Sequence, residues 1–200
     1  EIPHLDAAVL MGLSGNECGH ALADILTGKI NPSGRLTDTW ARQYSDNPAS
    51  AMFGENDGNS LQEDYTEDIF VGYRYFDAFG IRPMFPFGYG LSYTEFTHEN
   101  VKVAADWEQI TIRADVRNIG KRSGREVVQV YVTAPEGKLT KPMQELKAFA
   151  KTKEIEPGTY ETVTMTFPTE TLGSYDEALG AFVMEPGVYL IRIGKDSRNT

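Results

Sequence analysis

Few residues in this chain have the type and spacing to do chemistry. Glu17 stands where the turn Ser14-Gly15-Asn16 runs into a helical pattern. A carboxyl there could serve acid–base work if a second one lay at a matched distance with its pKa pushed apart. No such pair is visible, so Glu17 reads as a first-turn acid that complements the helix dipole. Acidic residues also gather at Glu55, Asp57, Glu63, Asp64, Glu67 and Asp68. With Gly58 as the glycine of a calcium loop, the first ligand position falls on Phe53 and the twelfth on Asp64 instead of Glu. The stretch therefore reads as a solvated acidic loop. His4, His20 and His98 have no ligand spacing and no cysteine pattern beside them, which makes them surface or locally satisfied histidines. Cys18 is the single cysteine. It excludes an internal disulfide and a cysteine-based zinc site, and with no base nearby it reads as a small, half-buried residue. Gly72, Gly88 and Gly90 do not make a phosphate loop, because no strand-to-helix step follows Gly90. These residues call for no metal and no cofactor.

A second set is aromatic: Tyr65, Tyr73, Tyr75, Phe85, Phe87, Tyr89 and Tyr93. Such rings can stack on sugars. They can also weld a seam between layers, since each buries about 150–250 Å². The seam is the preferred reading. Arg74, between Tyr73 and Tyr75, is expected to pair with a carboxylate or to stack there.

The elements that must position these groups change character near residue 96. Ala7 to Met11 is a short continuous apolar run, as in a strand buried on both faces. Ala21, Leu22, Ile25 and Leu26 then share a helical face, Gly28 is placed to stop the helix, and Asn31-Pro32-Ser33-Gly34 is a turn. One strand and one helix cannot bury their faces alone, so residues 1–40 look like the last βα unit of a larger sheet. Residues 41–95 are irregular, with strand-type residues at Ile69 to Phe76 and a stretch at Phe85 to Tyr93 too rich in Gly and Pro for a central strand. Residues 1–95 are expected to be less stable than residues 97–200. Beyond residue 96 alternation is clear. Ile110, Ile112, Ala114 and Val116 mark one strand, Val128, Val130 and Val132 another, and Val163, Met165 and Phe167 a third. Leu146 to Lys151, the run Tyr189, Ile191, Ile193, the Val101-Lys102-Val103 segment and a strand near Leu172 or Phe182 bring the total to six or seven. That spacing fits an antiparallel sandwich of immunoglobulin or fibronectin type III kind.

The chain has 200 residues and a formal net charge of −10 from 19 Lys+Arg and 29 Asp+Glu. That balance argues against a binder of nucleic-acid phosphates. No apolar run approaches the roughly 20 residues of a membrane helix. Glu1-Ile2-Pro3-His4 carries no basic leader-type region, and there is no initiator Met. The chain thus reads as processed or as a piece of something longer, with a bacterial cytoplasm favoured.

Three ordered motifs carry a resemblance. Gly12 to Gly28 running into Asn31-Pro32-Ser33-Gly34-Arg35-Leu36 resembles the end of the α/β sandwich domain of glycoside hydrolase family 3. Tyr65 to Asp77 is similar to the family's next segment, and Phe85 to Phe96 to the motif that closes it. The remainder, with its Pro186-Gly187-Val188-Tyr189 turn and Gly194, is similar to the fibronectin type III-like domain of many members. The resemblance implies a mainly β fold: a fibronectin type III-like antiparallel β-sandwich (97–200) preceded by a partial α/β strand-helix segment and an irregular connection (1–96).

Family members are mostly β-glucosidases and β-xylosidases that act with retention through two carboxyls roughly 5–5.5 Å apart. The resemblance implies that the nucleophile sits on a (β/α)₈ barrel and the acid/base upstream of Ala7. Thr37-Asp38-Thr39-Trp40 is the string nearest the nucleophile's Ser-Asp-Trp motif, but it is not that motif and falls elsewhere. The wording Asp38-Thr39-Trp40-Ala41 leans towards members whose halves are in reverse order. The expectation is a non-catalytic scaffold piece with no catalytic residues of its own. Its partners would be the barrel and the rest of the α/β domain, and its intact form would act on β-glucosides or oligosaccharides without a cofactor. No nucleic-acid or membrane partner is expected. The alternative is a stand-alone β-sandwich that binds carbohydrate or serves adhesion, which leaves the N-terminal βα unit unexplained.

Overall fold

A computed structural model describes residues 6–51, 61 and 65–200. His4 and the calcium-type reading of Phe53 to Asp64 lie outside the described residues. Alternating apolar positions become β1 (Phe96–Ala105), β2 (Gln109–Asn118), β3 (Val127–Thr133), β4 (Glu145–Lys151), β5 (Tyr160–Pro168), β6 (Ser174–Asp176), β7 (Ala181–Val183) and β8 (Leu190–Gly194). Two antiparallel sheets result, in the orders β1-β2-β5 and β4-β3-β8, with β6 and β7 as a separate hairpin. The six or seven strands expected are thus eight. Phe182 lies in β7, whereas Leu172 closes a 3₁₀ turn and is buried.

The two sheets meet through side chains that the period-2 pattern turns inward. Ile110, Ile112, Ala114 and Val116 of β2 and Val163, Met165 and Phe167 of β5 face Val128, Val130 and Val132 of β3. Ile112 sits opposite Met165 in one sheet, and Val130 opposite Ile193 in the other. A one-residue slip would turn each set towards solvent, so burial holds the register.

The sheets differ on their outer faces. β5 alternates buried and exposed residues, whereas β3 is buried from Val128 to Val132 without a break. Gln129 and Tyr131, on the outer face of β3, are therefore covered, and the first half of the chain covers them.

That half contributes α1 (Cys18–Leu26) and α2 (Tyr73–Ala78). Gly28, with φ +74°, follows the C-cap Thr27 and stops α1 as expected. Glu17 occupies the N-cap instead of the first turn, and its side chain caps nothing. Two expectations are corrected. Ala7 to Met11 forms no strand, because it has no strand neighbour among the described residues, and all five residues are exposed. Ile69 to Phe76 forms no strand either. Gly72, with φ +56°, redirects the chain into α2, which buries Phe76 and Asp77. Among the described residues, no helix is long and apolar enough to cross a membrane.

Glu185 ties the loop before β4 to the turn before β8. Its carboxylate accepts from the amides of Lys138 (2.7 Å) and Leu139 (3.3 Å) and pairs with Lys141.

Two outcomes are expected. Ile112, with 0% exposure, fills the centre of the core, so Ile112→Ala should cost about 2–5 kcal/mol. Urea denaturation would read this as a lower midpoint at unchanged slope. Hydrogen bonds from Lys141 and Lys138 hold the Glu185 carboxyl down at about 2. A lowered pKa stabilises above the ordinary value and is lost as pH falls through the folded one. The Lys138 amide shift should therefore titrate near pH 2 by NMR, and a midpoint above 4 would contradict the clamp.

Candidate functional site

Polar residues with three or more partners converge on the seam between the first half and the sandwich. Asn31 opens it from the turn after α1. Its amide donates to Ser123 O (3.0 Å) and its carbonyl accepts from Ser92 Oγ (3.0 Å) and Tyr93 N (2.8 Å). A Cβ on Gly124 would stand 2.4 Å from Asn31 Nδ2, so glycine alone lets this amide approach. Asn118, fully buried, repeats the pattern at the end of β2. It accepts from Thr94 Oγ1 (2.8 Å) and Gly120 N (3.0 Å) and donates to Arg122 O (2.7 Å) and Ile155 O (2.8 Å). Arg122 donates to Gly28 O (3.1 Å) and lies over the Tyr93 ring, whose hydroxyl donates to Ile25 O (2.9 Å).

The middle of the seam is ionic. Arg35 Nη2 meets Glu126 Oε1 at 2.5 Å, and the two side chains are only 9% and 3% exposed. Glu126 Oε1 also accepts from Val127 N (2.8 Å). Beside this pair, Leu36 and Tyr89 pair through their backbones (2.8 Å), and Gly88 N donates to Leu36 O (2.8 Å). Gly88, with φ +82°, presses on β3. A Cβ there would fall 2.2 Å from Gln129 Oε1. Gln129 Nε2 reaches Gly88 O (3.3 Å) and Lys195 O (2.7 Å), while its carbonyl accepts from Tyr131 Oη (2.6 Å).

At the far end stands α2. Tyr73 stacks on Phe87 (4.9 Å between centroids), meets Tyr131 edge-on (5.9 Å) and accepts from Leu146 N (2.8 Å). Burial raises the phenol pKa of both Tyr73 and Tyr131, so both stay neutral and Tyr131 keeps the proton it donates to Gln129. Arg74 pairs with Glu145 (2.9 Å) beside the Tyr73 ring, as its flanking tyrosines implied. Asp77 Oδ2 accepts from Gln144 Nε2 (2.9 Å), and Arg198 Nε lies 2.7 Å from Asp77 Oδ1, off the line of a hydrogen bond.

The structure sorts the aromatic set. Tyr73, Phe87 and Tyr93 serve the seam. Phe85 stacks on Tyr89 (5.1 Å) and meets Trp40 edge-on (6.0 Å). Tyr75 packs with Phe76 and Phe79 on α2, and Tyr65 is exposed. Glu17 pairs with His20 at 2.5 Å on an open surface, with no second carboxylate engaged. Cys18 is a half-buried free thiol. His98 departs from a satisfied histidine: its Nε2 is buried without a hydrogen bond, and burial lowers its pKa. Among the described residues, no group of three metal-ligating side chains comes together.

The arrangement suits holding more than reacting. Glu126, Glu145 and Asp77 each lie beside an arginine: Arg35, Arg74 and Arg198. Sequence reasoning missed Asn31, Arg35, Asn118, Glu126, Gln129, Gln144 and Arg198. One signal was present: Gln129 and Tyr131 interleave with Val128, Val130 and Val132 with no charged residue among them, unlike the outward side of a solvated strand.

Comparison with known proteins adds descent to geometry. Residues 1–93 match the glycosyl hydrolase family 3 C-terminal domain, and residues 126–197 match a fibronectin type III-like domain. The chain is 41% identical to thermostable beta-glucosidase B of Acetivibrio thermocellus over 192 residues, covering 94% of this chain and 25% of that protein. It is 43% identical to beta-glucosidase A of Butyrivibrio fibrisolvens, covering 97% and 26%. Beta-glucosidase 3B of Thermotoga neapolitana, solved in complex with α-D-glucose, superposes with a TM-score of 0.87 at 47% identity, over 93% of this chain and 26% of that one. The chain thus spans about a quarter of the length of these relatives.

The ion pair at the centre of the seam makes an expected outcome specific. Arg35→Met leaves the Glu126 carboxylate buried and unpaired, at a cost of about 3–5 kcal/mol. Arg35→Met with Glu126→Gln should recover most of that loss in urea denaturation, because no buried charge remains.

Proposed function

From a chain whose first half is the C-terminal domain of glycoside hydrolase family 3, followed by a fibronectin type III-like domain, we propose a scaffold role within a retaining β-glucosidase-type enzyme. The intact enzyme would release terminal, non-reducing β-D-glucosyl or xylosyl units. Its two catalytic carboxylates would lie outside this chain, on the barrel and on the preceding part of the α/β domain. The chain alone would be inactive and would need no cofactor. We place the division between its two parts at residues 96 and 97, one residue into β1.

The observation that carries this reading is the surface around α1. Val9, Leu10, Met11, Leu13, Leu26 and Ile30 are all exposed, and α1 contains no buried residue. A helix of nine residues is too short to persist on its own in water. An apolar strand-type run beside an unburied helix is what a parallel sheet with a helical layer would cover. The rest of the α/β domain is the partner that fits. This surface also favours the scaffold over a stand-alone carbohydrate-binding sandwich, for which it has no use.

Hydrolysis of p-nitrophenyl β-glucoside tests the reading. The purified chain should show no turnover. The chain exchanged into Thermotoga neapolitana beta-glucosidase 3B, in place of the segment it matches, should give an active enzyme. Turnover by the isolated chain, or a folded but inactive chimera, would overturn the proposal.

A further inference from the structure

After Gly194 ends β8, the chain folds back on itself in a tight turn. Lys195 N donates to Asn199 O (3.0 Å), and Asp196 Oδ1 accepts from the amides of Arg198 (2.9 Å) and Asn199 (3.0 Å). The Asn199 side chain closes on both Asp196 oxygens, at 2.9 and 2.7 Å. Asp196 and Ser197 are buried. A Cβ on Gly194 would stand 2.0 Å from Asn199 O, so only glycine lets the turn lie against the strand.

The outer side of this turn grips the first half of the chain. Ser197 N donates to Phe87 O (2.9 Å). Arg198 Nη2 donates to Phe76 O (2.9 Å) and Ile81 O (3.0 Å), two carbonyls at the end of α2 and just beyond it. The Gln144 amide donates both to Ser197 O (2.6 Å) and to Asp77 Oδ2 (2.9 Å). At six residues α2 has too few internal hydrogen bonds to stand alone. Its C-terminal carbonyls accept from the amides of Phe79, Gly80 and Ile81, and Arg198 adds a second donor to Phe76 O from outside the segment.

We propose that residues 195–199 form a latch that holds α2 and the stretch up to Tyr89 on the outer face of β3, with Arg198 neutralising the buried Asp77. When the latch opens, residues 73–89 leave the sandwich as one unit while its core stays folded. This inference does not rest on the glycosidase reading.

Asp77 gives the latch a pH signature. Burial raises its carboxyl above the ordinary value, while Gln144 and Arg198 pull it back. Arg198 from the latch and Gln144 beside β4 face the carboxyl directly. Tyr131 of β3 senses Asp77, Tyr73 and Asp196 together. Without Arg198, no cation among these groups balances the charge. A carboxyl whose pKa is raised in the folded state stabilises less as pH rises through the window between its ordinary and raised values. A latch lacking Arg198 should therefore hold better in acid than at neutral pH.

Native-state amide exchange on the 200-residue chain tests this. In sub-denaturing urea, the wild-type amides of Phe79, Ile81 and Gly88 should open before those of β2 and β5. Arg198→Ala should lower their protection about tenfold, with a smaller loss at pH 5 than at pH 7, and leave β2 and β5 unchanged. Arg198→Ala with Asp77→Asn should recover most of the protection and lose the pH dependence. Opening of residues 79–88 only together with β2 in the wild type would overturn the proposal, even if Arg198→Ala failed to fold. Unchanged protection in Arg198→Ala, or a double variant no better than the single one, would also overturn it.

Discussion

β3 is buried on both of its faces, and the rest of the architecture answers to that. A sandwich strand ordinarily presents one face to the core and one to water, as β5 does here. β3 instead carries Val128, Val130 and Val132 inward and Gln129 and Tyr131 into a second, covered layer. A buried amide or phenol without a partner costs stability, so that layer must bring its own donors and acceptors. It does so through the backbone of Gly88 and the turn at Lys195. Residues 31–40 and 70–93 are therefore part of the sandwich energetically, although they precede it in sequence.

The charged groups of the seam set position more than they add stability. Taking Arg35 and Glu126 out of water costs much of what their attraction returns. A misplaced segment, however, would leave either charge buried and alone, a far larger penalty. The buried Asp77 with Arg198 extends the same logic to α2, whereas Arg74 and Glu145 pair half-buried beside it. Three arginines, from the stretch before Leu36, from α2 and from the turn after β8, meet three carboxylates and fix how the first half docks. Glycine completes the fit at Gly88 and Gly124, where any side chain would collide with Gln129 and Asn31 respectively.

The seam and the α1 surface contrast in a way that bears on function. At the seam, apolar rings and polar groups are satisfied within the chain. Around α1, apolar residues face outward; Tyr93 bonds to the helix at Ile25, and Arg122 and Ser123 bond to the turn after it at Gly28 and Asn31. One boundary is satisfied within the chain, and the other leaves apolar side chains open. The relatives it matches are β-glucosidases about four times its length.

Local pattern carried much of this into the sequence. Period-2 alternation marked the core strands, because a half-buried strand must alternate whatever its neighbours. Gly28 marked the end of α1, because a left-handed residue there is almost a glycine requirement. The ordered motifs from Gly12 to Phe96 marked the family. Contacts across long separations were not legible. Arg35 and Glu126 are 91 residues apart, and Arg198 and Phe76 are 122 apart. Nothing local distinguishes these arginines from solvated ones. The strand-type residues at Ile69 to Phe76 form a turn and the start of α2, since docking on β3 outweighed the β-propensity of the aromatic residues. The strand expected at Ala7 to Met11 was left unpaired, since a parallel strand exists only beside another. The sequence by itself determined which segments alternate, turn and stop, because those depend on neighbours along the chain. Only the tertiary structure decided which polar groups are buried and whom they meet, because desolvation and pairing depend on what the fold brings across.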